Sequence, residues 1–244
     1  VRLSSSEAER SKSQELEKEK SMTMNPVKLR RTEWLSRLLA TTLIAGVAGS
    51  GCASISSLTT AKVLPKGKSR FYLAGGYSML GSGSSSSSIP YFELMFRRGI
   101  ADRFDAGVKW TAPFTVGGDL KFGLITGKTF AMALGGMVGY FGLESGSSRL
   151  DIIDVTVPVY FSLHPGDVFA IYAVPKFLQR IFAGTAGTST STAQGSYAGG
   201  SAGIQLGNET LGIVAEGTYM YCLTCSSNSA ISQFGGAFYF GFGK

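Results

Sequence analysis

From Phe234 to Phe242 every second residue is Phe or Gly, and the residues between them are Gly235, Ala237, Tyr239 and Gly241. An apolar position at every second residue is the mark of a strand with one greasy face. The same period runs back through the chain to Arg70. Arg70, Tyr72 and Ser78 oppose Phe71, Leu73, Tyr77 and Met79, and Tyr172, Lys176 and Arg180 oppose Phe169, Ile171, Phe177 and Ile181. It predicts strands near 69–80, 89–99, 103–112, 117–126, 129–142, 150–163, 167–181, 195–206, 210–221 and 230–243. No helical period of any length follows Cys52. The expected fold is all-β: a closed, up-and-down antiparallel barrel of about ten strands, within roughly 8 to 12.

The connections alternate in kind. Gly99–Arg103, Thr126–Lys128, His164–Asp167 and Gly207–Glu209 are tight and rich in turn residues. Between them lie Gly81–Ser88, Ala112–Val116, Glu144–Arg149, Ala183–Gly195 and Cys222–Ser229, most of them longer and rich in Ser, Thr and Gly. A barrel in an outer membrane has short periplasmic turns and longer external loops. An even strand count then puts both ends of the barrel in the periplasm.

The charges keep mostly to one face. Glu93, Asp105, Asp119, Asp154 and Glu216 share it with Arg70, Arg97, Lys109, Lys121, Lys176 and Arg180. Arg98 is the exception on the apolar face, at a strand end where it can snorkel. Two barrels could carry this pattern. A soluble, lipocalin-like barrel would turn the apolar face inward around a ligand. A transmembrane barrel turns it outward, and the sparse charge and small residues of the polar face favour that reading. The charges are then expected to pair across a filled lumen, because an unpaired buried charge is costly.

The front of the chain is different. Residues 1–23 are rich in Ser, Glu and Lys and poor in apolar groups, which reads as a disordered extension ahead of a start at Met24 or Met22. Residues 24–51 run from a basic segment (Lys28, Arg30, Arg31, Arg37) through an apolar one (Leu38–Ala48) to small residues, the order of a secretory signal. Residues 53–68 read as a polar tether. Nine basic and six acidic residues precede Cys52, so they hold +3 of the formal net charge of +7. No basic run survives beyond it, which leaves no footprint for nucleic acid. Charged residues make up only 16% of the chain, and 33 of the 244 residues are glycine, which suits packed strands in a membrane.

Two resemblances follow. Gly49-Ser50-Gly51-Cys52 resembles the lipobox of bacterial lipoproteins, with Gly49 where a Leu-like residue is usual. The resemblance implies acylation of Cys52 as the new N-terminus. With Ala53 and Ser54 following rather than Asp, it also implies sorting to the outer membrane. Ordinary cleavage nearby, with Cys52 left as a thiol, is the alternative. Residues 69–244 resemble small bacterial outer-membrane β-barrels, which end on an aromatic read by the insertion machinery; here Phe242 is followed by Gly243 and Lys244. The partners implied are outer-membrane lipid and the barrel-insertion and lipoprotein-sorting machineries.

Candidate chemistry is thin. Proteases on ten-stranded barrels use an Asp/His arrangement at the outer rim, but the single histidine, His164, falls in a His-Pro-Gly-Asp turn on the periplasmic side. A Ser/His hydrolase fails for the same reason. No ligand set for a metal or motif for a cofactor appears, and the chain reads as no enzyme. Cys222 and Cys225 in an external loop suit a small disulfide, with free thiols as the alternative. The expected function is structural or surface-interacting, with a narrow channel or transporter as the first alternative. A soluble barrel binding an apolar ligand is the second.

Overall fold

A computed structural model describes residues 55–243, apart from 83–84, 113–114, 188 and 226–228. The expected extension, signal segment and lipidation at Cys52 fall outside the described residues. Ten strands follow one another: β1 (Ser69–Ser82), β2 (Ser85–Ala101), β3 (Phe104–Thr111), β4 (Thr115–Thr126), β5 (Phe130–Ser145), β6 (Ser148–Leu163), β7 (Phe169–Ala186), β8 (Ser189–Gly207), β9 (Leu211–Cys222) and β10 (Ala230–Phe242). Each pairs antiparallel with the next. The barrel closes where β10 meets β1, from Ser69 opposite Phe242 to Gly81 opposite Ala230.

The period-two pattern decides the faces. On β10, Phe234, Phe238, Phe240 and Phe242 point out while Gln233, Ala237 and Tyr239 are buried inside. The outward residues form a continuous apolar belt; Val108 and Phe238 are each 59% exposed. Inward apolar packing around a ligand, the soluble alternative, is thereby overturned. Trp110, Tyr140 and Tyr221 stand exposed near one rim, and Phe130, Phe169 and Phe242 near the other. On β9 the outward run from Leu211 to Tyr221 spans about 25 Å of height at a strand tilt of about 40°.

The long loops are corrected. Much of what reads as loop is hairpin: Ser85–Ser88 pair with β1, and Ser189–Thr192 pair with the end of β7. Above an apolar belt nothing selects a greasy face, so the alternation fades in sequence while the backbone ladder continues. Thr is also well suited to strands. The barrel thus has one short-turn end, where β1 begins and β10 finishes, and one end from which hairpins project.

The tether is corrected too. Residues 55–61 and Leu64 are buried, and Leu58 is fully so. This segment lies inside the barrel, not beside it. Leu58 and Ala61 pack with Tyr72, Met95, Tyr160, Tyr172 and Tyr239. Ile55 packs with Leu178, Tyr197, Met220, Cys222 and Ile231. At the short-turn end the chain leaves the lumen against β2: Gly67 N–H donates to Gly99 O at 3.0 Å and Gly99 N–H to Lys68 O at 2.9 Å. Only glycine fits at 99, because a Cβ there would come within 2.1 Å of Pro65 O.

Candidate functional site: a lumen filled by the chain itself

Register places one group of charges opposite its partners. Asp154 faces Arg180 across the β6–β7 ladder, and Arg180 grips it with two bonds of 2.7 Å, from Nε and from an η nitrogen. Asp105 faces Lys121, 3.6 Å away. Arg97, Gly107 and Asp119 form a row across β2, β3 and β4. The missing side chain of Gly107 lets Arg97 reach over it: a Cβ there would lie 2.6 Å from Asp119 Oδ2 and 3.1 Å from an Arg97 η nitrogen. Arg97 pairs with both Asp105 and Asp119.

A second group holds residues 55–64. Glu216 lies between Gly203 and Gly235 on the neighbouring strands. Its carboxylate accepts the N–H groups of Ser57 and Leu58, both at 2.7 Å, and the Tyr172 hydroxyl at 2.8 Å. Glu93 accepts the Ser56 hydroxyl at 3.1 Å and that of Thr111 at 3.1 Å. The lysines take the carbonyls. Lys121 donates to Thr60 O and Lys62 O, each at 3.0 Å, and Lys109 to Ser56 O at 3.2 Å. Lys176 donates to Ile55 O. Ile55 N–H reaches Gln233 Oε1 at 3.0 Å, Ala61 N–H reaches Ser162 Oγ at 3.2 Å, and Leu64 N–H reaches Asp105 Oδ2 at 2.9 Å.

Each charged residue expected on the inner face is at most 8% exposed. The structure divides them by task, however. Arg97, Asp119, Asp154 and Arg180 pair within the wall, whereas Lys176 donates to the enclosed backbone, Glu216 accepts from it and from the Tyr172 and Thr218 hydroxyls, and Lys109 donates to it and pairs with Glu93 at 3.7 Å. Asp105 and Lys121 do both. Arg70 stacks over Tyr239 at 4.3 Å, beside a vestibule of about 600 Å³ at the short-turn end. Arg98 is exposed on the outer face. Cys222 and Cys225 are joined as a disulfide at the end of β9.

His164 is buried in the turn after β6, with Nε2 2.9 Å from Ser162 Oγ. This Ser–His contact was not foreseen, since Ser162 reads as an ordinary strand residue. It is built as a support rather than a nucleophile. Ser162 is 2% exposed, and its oxygen already accepts the N–H of Ala61. Burial, with Lys62 nearby, pushes the His164 imidazole down to about 4, so it is neutral at pH 7.

No family model matches this chain, and no curated protein does. Solved structures share its shape at low identity. The attachment invasion locus protein Ail of Yersinia pestis is 11% identical, with a TM-score of 0.41, over 72% of this chain and 99% of Ail. Neisserial surface protein A is 10% identical, with a TM-score of 0.40, over 72% of this chain and all of the other. The outer membrane protease OmpT of Escherichia coli is 8% identical, with a TM-score of 0.41, over 76% of this chain and 98% of OmpT. These likenesses are of barrel form and say nothing of ligand or activity.

Proposed function

We propose that the protein is a plugged β-barrel of the bacterial outer membrane, with a structural or surface-interacting role and no open pore in its resting state. The observation that carries this reading is the occupied lumen. Residues 55–64 fill it, and the wall binds them through backbone groups as well as side chains. The outward apolar belt supports the membrane location, because its height matches the hydrocarbon band of such barrels. A closed ladder also leaves no unpaired strand edge for lipid to meet. The projecting hairpins, rich in Ser and Thr, are the surface such a protein would offer outside. The lipoprotein-type signal ahead of the barrel fits export to the same membrane.

A gated channel is the second reading, and one observation favours it. Residues 55–60 form no strand ladder with the wall, so they could leave without opening the sheet. Planar-bilayer recording separates the two states. The full-length protein is expected to show no steady conductance, and a variant lacking residues 55–64 is expected to conduct. Large steady channels from the intact protein would overturn the plugged reading. Release of the protein from membranes without detergent would overturn the membrane reading itself.

A further inference from the structure

We infer that the vestibule at the short-turn end binds a phosphate group, with Arg70 as its principal cation. Register carries the first step. The neighbours of Arg70 across the ladder are Gly241 on β10 and Arg97 on β2. Glycine offers no side chain, and Arg97 is already taken up by Asp105 and Asp119. Glu216, flanked by glycines, meets its partners off the ladder, among them the enclosed segment. Arg70 meets no such partner: among the described residues no carboxylate pairs with it. Its hydrogen bonding is limited to a long contact of 3.5 Å from an η nitrogen to the Tyr72 hydroxyl, and Nε has none. A guanidinium is rich in donors, and holding one at 8% exposure without an anion is costly.

The space beside it suits such an anion. Arg70 lines a vestibule of about 600 Å³, together with Lys62 from the enclosed segment and Lys68 just ahead of β1. Asp102, Asp167 and Glu209 line it too, from three separate turns, but all three are exposed. Solvent and salt screen an exposed charge far more than a buried one, so the guanidinium dominates inside. Gln205, also in the lining, adds the opposite demand. Tyr239 gives its hydroxyl proton to Asn208 O at 2.8 Å and accepts from Gln205 Nε2 at 3.0 Å. That fixes the amide and leaves Oε1 without a donor. The Tyr239 ring also lies under Arg70, so the unmet cation and the unmet acceptor are held by one side chain. The matching ligand carries an oxyanion with a hydroxyl close by. A phosphate ester of a polyol has both, and arginine meets phosphate through paired N–H donors. A soluble phosphate ester and the headgroup of a phosphoglycerol lipid share this chemistry.

Calorimetric titration of the detergent-purified full-length protein tests this and does not depend on which way the barrel faces. The soluble probe is sn-glycerol 3-phosphate. The lipid probe is detergent micelles doped with phosphatidylglycerol, set against micelles doped with diacylglycerol. Saturable binding of either phosphate probe is expected and identifies the source. Binding of neither, or equal binding of diacylglycerol, overturns the inference. Arg70→Gln leaves no carboxylate unpaired, so the barrel should still fold, as a difference in gel mobility between boiled and unboiled samples would show. It should weaken the bound probe about tenfold or more, and Lys68→Gln should weaken it less. Unchanged affinity in Arg70→Gln overturns the assignment. Should that variant fail to fold, Arg70→Lys keeps the charge but loses the paired donors, and should still weaken binding. Unchanged affinity in Arg70→Lys would then overturn the assignment equally.

Discussion

The two groups of charges in the lumen do different work, although both lie on the same face of the same sheet. Arg180 pairs with Asp154 on the neighbouring strand, and Arg97 pairs with Asp119 across the intervening β3. They would persist in an empty barrel. Glu216 and Lys176 have no such neighbour. Glu216 is flanked by glycines, and Lys176 faces Pro158 and Gly199. Lys176 bonds a backbone that belongs to another part of the chain, and Glu216 bonds that backbone in addition to the Tyr172 and Thr218 hydroxyls. The wall pairs hold the barrel, and the second group holds its contents.

The hardest blow to this distinction falls on the wall. Arg97→Met leaves Asp105 and Asp119 buried without the cation they share, although Lys121 still faces Asp105. Breaking such a buried pair costs roughly 3–5 kcal/mol. The expected result is a large fall in the urea midpoint of the refolded barrel, followed by tryptophan fluorescence. The same fall should appear in a barrel lacking residues 55–64. If it shrinks in that background, the wall pairs depend on the plug and the division fails.

Glu216→Gln probes the other group and should do less. An amide accepts through one oxygen, where the carboxylate takes the N–H groups of Ser57 and Leu58 on two. Leaving a buried donor poorly satisfied costs about 1–3 kcal/mol. In the barrel without residues 55–64 the cost should fall, because water enters and the Ser57 and Leu58 donors are gone, leaving only the Tyr172 and Thr218 hydroxyls on the carboxylate. The coupling between the deletion and the substitution, read from a double-mutant cycle, is the measurement. An undiminished cost in the deletion background would place Glu216 with the wall.

The same contrast explains what the sequence showed and what it hid. Strands were legible because one face meets an apolar belt, which forces a period of two from Arg70 to Phe242. Wall charges were legible as inward for the same reason. The hairpin extensions were not, since above the belt Ser85–Ser88 and Ser189–Thr192 pair without any apolar face to mark them. The enclosed segment was hidden because it is recognised through its backbone, which leaves little trace in side chains. A faint signal existed: Ile55, Leu58, Ala61 and Leu64 recur every third residue in a stretch whose other residues, Val63 apart, are polar, and all four are buried. Glu216, between Gly203 and Gly235 once register is known, was a second sign that its partner lay off the sheet.

The gentlest test lies at the lower end of the plug, where the division is least sharp. With the proton on Nδ1, neutral His164 accepts from the Ser162 hydroxyl, whose oxygen accepts from Ala61 N–H. The imidazole is pushed down to about 4 by burial and by Lys62. An unfolded histidine takes up its proton near pH 6.5, so acid favours the unfolded chain first. The contribution is therefore complete above that pH, is lost progressively as pH falls toward about 4, and is level below it. Between pH 7 and pH 6 the loss is roughly 0.5–1 kcal/mol. Urea midpoints of the wild type across this range should fall more than those of His164→Gln, whose side chain does not titrate. Carboxylates that protonate at lower pH are common to both proteins and drop out of the difference. Identical profiles would mean that His164 is already free to protonate in the folded barrel, and that the Ser162 support does not depend on a neutral ring.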